Sequence, residues 1–266
     1  MLSHIPKSKF FYPFYLANQL HISEEFFYSE NLPKSLDGFR IAFFSDVHFG
    51  PMFKKERVLD LAEKVNSLDA DVILMGGDYG EITRTSIEFF KVLPKLKSKY
   101  GCFASIGNHD RHGSKKEFAK LLQAIKDKNI IPLINEQHII SDANISLYAS
   151  DDIYTGSPDL SFFDDTENYK DKFSIFFPHS PDILPKVLNK NKKAFDLALC
   201  GHTHGGQIAL FGKALYSSSR YRNRYLSGWK KEKNHRIFIS NGVGTSIMPV
   251  RFGARPQINL IILTSG

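Results

Sequence analysis

Five short apolar runs in this chain each stop at a cluster of side chains able to bind a metal. FRIAFFSD ends on Asp46 with His48 just beyond, and DVILMGGD ends on Asp78. CFASIGN leads into Asn108, His109 and Asp110, FSIFFP into His179, and FDLALC into His202 and His204. Runs of this length, bounded by glycine, proline or polar residues, read as β-strands. Several lack strict alternation, as expected for strands covered on both faces. Polar residues at the ends of neighbouring strands converge on one edge of a sheet, which is where open α/β folds bind ligands. The pattern therefore demands a sheet-based fold with one polar edge.

The segments between the runs supply helices. ERVLDLAEKVNSL places Val58, Leu61, Val65 and Leu68 at helical spacing. In SKKEFAKLLQAI, Ser114 and Glu117 form a capping-box signature that opens a helix with Phe118, Leu121, Leu122 and Ile125 on its apolar face. The later half is richer in strands, with ISLYASDD, RIFISNG and INLIILTS added to the runs above. Strand–helix alternation followed by strands predicts a layered α/β domain with mixed sheets. No internal repeat or low-complexity linker divides the chain. Residues 37–266 read as one domain and residues 1–36 as an N-terminal extension.

With 42% hydrophobic and 24% charged residues, the chain reads as soluble and globular. Its formal charge of +7 favours anionic partners, whether phosphate esters, nucleic acid or an anionic membrane surface. Cys102 and Cys200 lie in separate apolar runs and read as buried free thiols of a reducing compartment. The segment KSKFFYPFYLANQL sets basic residues before an aromatic run that is too short to span a bilayer and is interrupted by Pro13. It can lie on a membrane as an amphipathic segment or pack its aromatics on the core. A cytoplasmic location is expected, with peripheral contact at the inner membrane left open.

Asp46 and Asp78 offer carboxylates, Asn108 an amide oxygen, and His48, His179, His202 and His204 imidazoles. This oxygen and nitrogen set suits manganese, zinc or iron. Seven ligands exceed the needs of one tetrahedral ion and suit two, roughly 3.5–4 Å apart, able to clamp both oxygens of a phosphoryl displacement. In extended chain, residues two apart point the same way, so Asp46 with His48, and His202 with His204, can reach a common site. Gly76, Gly77, Gly107, Gly201, Gly205 and Gly206 permit tight turns and close backbone approach.

The blocks SDVH, GGD, GNHD, PHS and GHTH, in that order from Asp46 to His204, resemble the calcineurin-like metallophosphoesterase superfamily. GGQ and NGVGTSIMPVRFGARPQI beyond them are similar to the bacterial subgroup related to the YkuE/YaeI phosphodiesterases, so the resemblance covers about residues 37–266. It implies an α-β-β-α sandwich of four layers, with two mixed sheets and a dimetal site at strand ends. It implies that Asp46, His48 and His204 hold one ion and that Asn108, His179 and His202 hold the other, with Asp78 bridging. Manganese is the expected metal, with zinc or iron as alternatives. A hydroxide bridging the metals would attack phosphorus in line, His109 would assist the leaving group, and Asp110 would orient His109.

The substrate is less tightly specified. The cationic segment RYRNRYLSGWKKEKNH, residues 220–235, interleaves Tyr221, Tyr225 and Trp229 and can clamp phosphates, stack on a base, lie on a membrane or remain a solvated loop. In PVRFGARPQ, Arg251 and Arg255 are candidates for phosphate contact, with Arg251 preferred because it matches a basic position in the subgroup. Gln207 is the other expected substrate contact. The expected partner is a phosphate-containing small molecule or a lipid-linked nucleotide, ahead of nucleic acid. The similar proteins include hydrolases of UDP-2,3-diacylglucosamine, cut to lipid X and UMP in lipid A biosynthesis, and this is the leading specific reading. A nuclease or general phosphodiesterase is the alternative. A non-catalytic scaffold is more remote, because it has no need of His109. His4, His21, His112, His138 and His235 read as ordinary surface or core histidines.

Overall fold

The structure, a computed structural model, describes residues 11–30, 32–164, 170–191, 194–214 and 216–266. The start of the basic-aromatic segment, residues 7–10, and His4 lie outside the described residues. The apolar runs form β2 (Arg40–Phe44), β3 (Val72–Met75), β4 (Cys102–Ala104), β8 (Phe173–Phe176) and β9 (Leu197–Cys200). Their lack of alternation has the anticipated cause. In the first sheet Ala42, Phe44, Ile73, Met75 and Ala104 pack under α2 (Lys55–Asn66), α3 (Thr83–Val92) and α4 (Lys115–Lys126). On the opposite face Ile41, Phe43, Val72, Leu74 and Phe103 meet the second sheet. Fully burying each of the larger of these side chains, the Val, Leu, Ile, Met and Phe residues, contributes about 1.5–3 kcal/mol.

The first sheet has the order β1 (His21–Tyr28), β14 (Gln257–Thr264), β2, β3, β4, β5 (Ile130–Pro132). Only the β14–β2 pair is antiparallel. The second has the order β12 (Gly228–Glu232), β13 (His235–Ile239), β9, β8, β7 (Ile145–Ala149), β6 (Glu136–Ile140), parallel except at its two outer pairs. Leu147, Ile175, Leu197, Leu199 and Phe238 face the first sheet, while Tyr148, Phe176, Ala198 and Ile237 face α5 (Leu184–Lys190), in a cluster that also takes in Phe162 and Phe163. The result is the α-β-β-α sandwich, with both cysteines buried and free. The capping box of α4 forms: Glu117 N–H donates to Ser114 Oγ at 3.3 Å and Ser114 N–H to Glu117 Oε2 at 2.9 Å.

The described part of the N-terminal extension, residues 11–30 and 32–36, packs into the domain. β1 pairs along its whole length with β14, Phe27 is buried against Phe173 with ring centroids 5.4 Å apart, and Trp229 Nε1–H donates to Glu25 Oε2 at 2.9 Å. The short helix α1 (Tyr12–Ala17) buries Leu16 and Ala17, and Pro13 O accepts the backbone N–H of Arg251 at 3.0 Å. The boundary expected after residue 36 therefore cuts off an edge strand of the first sheet. Among the described residues no helix is long and apolar enough to cross a membrane.

Candidate metal centre

The polar blocks follow β2, β3, β4, β8 and β9 and meet at one edge of the sandwich. The local backbone differs from the extended chain expected of the pairs two apart. Asp46 (φ 57°), His48 (φ 50°), Asp78 (φ 56°), His202 (φ 72°) and His204 (φ 53°) are all left-handed, a conformation costing about 1–2 kcal/mol per residue. β2, β3 and β9 each give way to such a turn where the ladder ends, and these turns aim the side chains inward. Gly107 and Gly201 make the convergence possible. A Cβ at Gly107 would lie 2.1 Å from Asp78 Oδ1, and one at Gly201 would lie 2.4 Å from Asp46 Oδ2.

Two groups bring the expected ligands together, and a third set of metal-capable side chains joins His48 with Glu81 and His109. Asp46, His48 and His204 offer one atom each, all within 4.8 Å of one another, and Asp78, His179 and His202 do the same. His48 Nε2 and His204 Nε2 are 3.0 Å apart. Asp78 Oδ2 lies between the groups, 3.8 Å from His48 Nε2 and 3.2 Å from His179 Nε2. Asn108 Oδ1 sits 3.1 Å from His202 Nδ1. Backbone contacts fix the orientations: His202 N–H donates to Asp46 Oδ1 at 3.0 Å, and His179 Nδ1–H donates to Gly76 O at 2.7 Å.

These residues fit metal ions. His202 Nε2 is buried and has no hydrogen-bond partner among the described residues, and the equally buried His179 Nε2 has only the Asp78 carboxylate beside it, at 3.2 Å. Buried imidazole nitrogens with no partner are costly unless something else accepts their lone pairs. The charge balance is equally uneasy. Burial works against a charge on His179, but the Asp78 carboxylate beside it pushes it up to about 10. Burial opposes ionisation of Asp78 too, yet His179, His109 and His48 hold it well below the usual carboxylate range. Burial pushes His202 and His204 down.

His109 has a quarter of its side chain exposed, and its Nδ1–H donates to the carbonyl of Glu81 at 2.9 Å, which leaves Nε2 free to act. Asp110 does not orient it. The Asp110 carboxylate is buried and accepts the N–H groups of Asp78 (2.8 Å), Gly107 (2.9 Å) and Tyr79 (3.0 Å) and the hydroxyl of Ser86 (2.7 Å). It fastens the loops after β3 and β4 to each other. Burial and the nearby Asp78 charge push it up to about 6.

The two expected substrate contacts are also placed differently. Arg251 is wholly buried. Its guanidinium donates to the carbonyls of Gly244, His204 and Ala254 and lies 3.1 Å from His204 Nδ1. With every direction taken by protein atoms, it braces the turn carrying His204. Arg255 lines a separate cavity with Tyr12 and His21. Gln207 borders the main cavity, but its side-chain amide donates to Ser246 O at 2.8 Å and accepts Ser246 N–H at 2.6 Å, clamping that loop. In the basic segment, Arg224 pairs with both oxygens of Glu232, Tyr225 is buried and Trp229 packs on Phe238. Much of that segment is thus structural.

A cavity of about 450 Å³ opens over His48, Asp78, Asn108, His109, His202 and His204, with Ile208, Tyr216, Ile247 and Met248 along one wall. None of the histidines read as ordinary that the structure describes lines it. Sequence reasoning missed Glu81, whose Oε2 lies 3.5 Å from His48 Nδ1, and Tyr154, stacked on His202 at 5.1 Å. Glu81 stands three residues beyond Asp78, but nothing in that spacing marks it.

The sequence pattern of the calcineurin-like phosphoesterase family matches residues 39–206, more than half of the chain, and the chain belongs to that family. Members use a dimetal site, and the protein is a metal-dependent phosphoester hydrolase. It is 28% identical over 253 residues to the uncharacterized metallophosphoesterase YkuE of Bacillus subtilis, covering 93% of this chain and 87% of YkuE. It is 27% identical over 231 residues to the phosphodiesterase YaeI of Escherichia coli, covering 85% and 82%. Both support the bacterial YkuE/YaeI-like subgroup. An uncharacterized metallophosphoesterase of Helicobacter pylori is 29% identical over 242 residues, covering 89% of this chain, and this chain spans 62% of its length. Among solved structures, a dimetal phosphatase from Danio rerio shares the fold at a TM-score of 0.55 and 10% identity, covering 86% of this chain and 100% of that one.

Proposed function

We propose that the protein hydrolyses a phosphodiester or pyrophosphate bond of a lipid-linked nucleotide, with UDP-2,3-diacylglucosamine, cut to lipid X and UMP, as the leading substrate. The observation that carries this reading is the make-up of the cavity: a floor of metal-capable side chains beside a wall of Ile208, Tyr216, Ile247 and Met248. A phosphate fits the floor, and an acyl chain fits the wall.

Asp46, His48 and His204 would hold one ion, and Asn108, His179 and His202 the other, with Asp78 between them; manganese is the proposed metal. Bound there, the ions supply an activated water and neutralise charge on the phosphate oxygens. His109, held through Nδ1 by the Glu81 carbonyl, presents Nε2 to the leaving-group oxygen and gives it a hydrogen bond or a proton. Asp110 and Arg251 keep the ligand loops in register. Peripheral contact with a membrane belongs to the same proposal, since the acylated substrate resides there.

A general phosphodiesterase is the second reading, favoured by similarity to YaeI, which carries the name phosphodiesterase. The deciding assay compares UMP release from UDP-2,3-diacylglucosamine with cleavage of bis(p-nitrophenyl) phosphate, both with manganese. Preferential UMP release supports the lipid-linked substrate. Cleavage of the simple diester with no UMP release leaves the second reading standing and rejects the first.

A further inference from the structure

Large apolar side chains stand in water around the mouth of the cavity. The hairpin of β10 (Ala209–Leu210) and β11 (Lys213–Ala214) carries Phe211 at its tip, fully exposed, with Leu210 57% exposed beside it. Ile247 and Met248, which line the cavity, are 80% and 50% exposed. Folded soluble proteins rarely leave such a group uncovered unless it meets a partner or a membrane.

These side chains are held in place by the fold. Gln207 clamps the backbone of Ser246 in both directions, and Ala209 N–H donates to Phe252 O at 2.7 Å, tying the hairpin to the 246–252 segment. Ile247 has φ 66°, a strained state for a β-branched residue, although its side chain packs on little. Strain held at an exposed position points to a use outside the fold.

The charge around this rim identifies the partner. Residues 207–222 and 244–255 contain no Asp or Glu, and Glu232 is the only acidic residue from Gly201 to Gly266. Lys213, Arg220 and Arg222 are exposed there, and Asn223 Oδ1 accepts Ala214 N–H at 2.9 Å, setting the arginines beside the hairpin. Protruding apolar side chains inside a collar of cations match the acyl and headgroup layers of an anionic bilayer.

We propose that the β10–β11 hairpin and the Ile247–Met248 loop dock on an anionic phospholipid bilayer and seat the cavity mouth against it. This deepens the lipid-linked reading by naming the surface through which the substrate enters. Docking itself needs no metal and no turnover.

The test is co-sedimentation of the full chain with phosphatidylcholine vesicles, with and without phosphatidylglycerol. The wild type is expected to bind the anionic vesicles, less tightly at high salt, and to ignore the neutral ones. Lys213→Glu should weaken binding about fivefold, and Leu210→Ser with Phe211→Ser about tenfold or more. Both variants should keep the wild-type melting temperature and full turnover of bis(p-nitrophenyl) phosphate. That soluble assay separates failure of docking from failure of the hydrolase reading. Unchanged vesicle binding in the hairpin variant overturns the proposal. So does a wild type that binds no vesicles, including one that self-associates through this face in sedimentation velocity.

Discussion

The carboxylate of Asp110 accepts the backbone N–H of Asp78 at 2.8 Å, so the residue proposed to bridge two metals is held in place by a second buried acid. The other three donors to Asp110 are Tyr79 N–H in the loop after β3, Gly107 N–H in the loop after β4 and the Ser86 hydroxyl on α3. Asp110→Asn would turn an amide N–H toward at least one of these donors. A buried donor left unsatisfied costs about 1–3 kcal/mol. The variant is therefore expected to melt earlier and, because outer hydrogen bonds orient metal ligands, to bind metal about 10–100-fold more weakly. Thermal melts and metal analysis read the two effects separately, and unchanged metal content would remove Asp110 from the account.

His179 yields a prediction about pH. Its ordinary value lies near 6.5, and Asp78 raises it to about 10 in the metal-free protein. Because the folded value is the higher one, protonation of His179 stabilises the metal-free fold fully below about pH 6.5, and this contribution is lost as pH rises through about 10. An ion that takes His179 Nε2 must displace that proton. Metal binding at pH 7 is expected to release protons, and apparent affinity to rise with pH. Calorimetry in buffers of different ionisation enthalpy measures the release, and enthalpies independent of buffer would contradict it.

His109 lies beside both ligand groups, while its Nδ1 is held by the Glu81 carbonyl. His109→Ala is expected to lower kcat by about 10²–10⁴ and to retain the metals, as loss of a proton donor does. Loss of metal instead would make His109 a ligand.

Gly107→Ala tests the close approach of the loops. The added carbon would lie 2.1 Å from Asp78 Oδ1 and must push the carboxylate aside. Weakened metal binding with a retained fold is expected, seen as lost metal content with an intact far-ultraviolet spectrum. Normal metal content would mean that the loops have room to spare.

The sequence made the centre legible because its chemistry lies in contiguous blocks, each at the end of a run whose burial on both faces suppresses alternation. The cap of α4 was equally local. What could not be read depends on contacts between distant segments. Arg251 looked like a phosphate ligand, yet its partners are carbonyls at Gly244, His204 and Ala254, brought together only by the folded loops. Asp110 follows His109 in sequence but turns toward the loop after β3. The spacing of Asp46 with His48 suggested extended chain, whereas left-handed turns perform the convergence. β1 escaped notice because its partner, β14, lies at the far end of the chain.

The central claim is that the residues from Asp46 to His204 form one metal-dependent hydrolytic centre. Its most direct test is turnover of bis(p-nitrophenyl) phosphate by chelator-stripped protein titrated with manganese, with bound metal measured in parallel. The account predicts no turnover without metal and activity that saturates near two ions per chain. Full metal loading without hydrolysis of this or any other phosphoester, or hydrolysis that persists after metal removal, would contradict it.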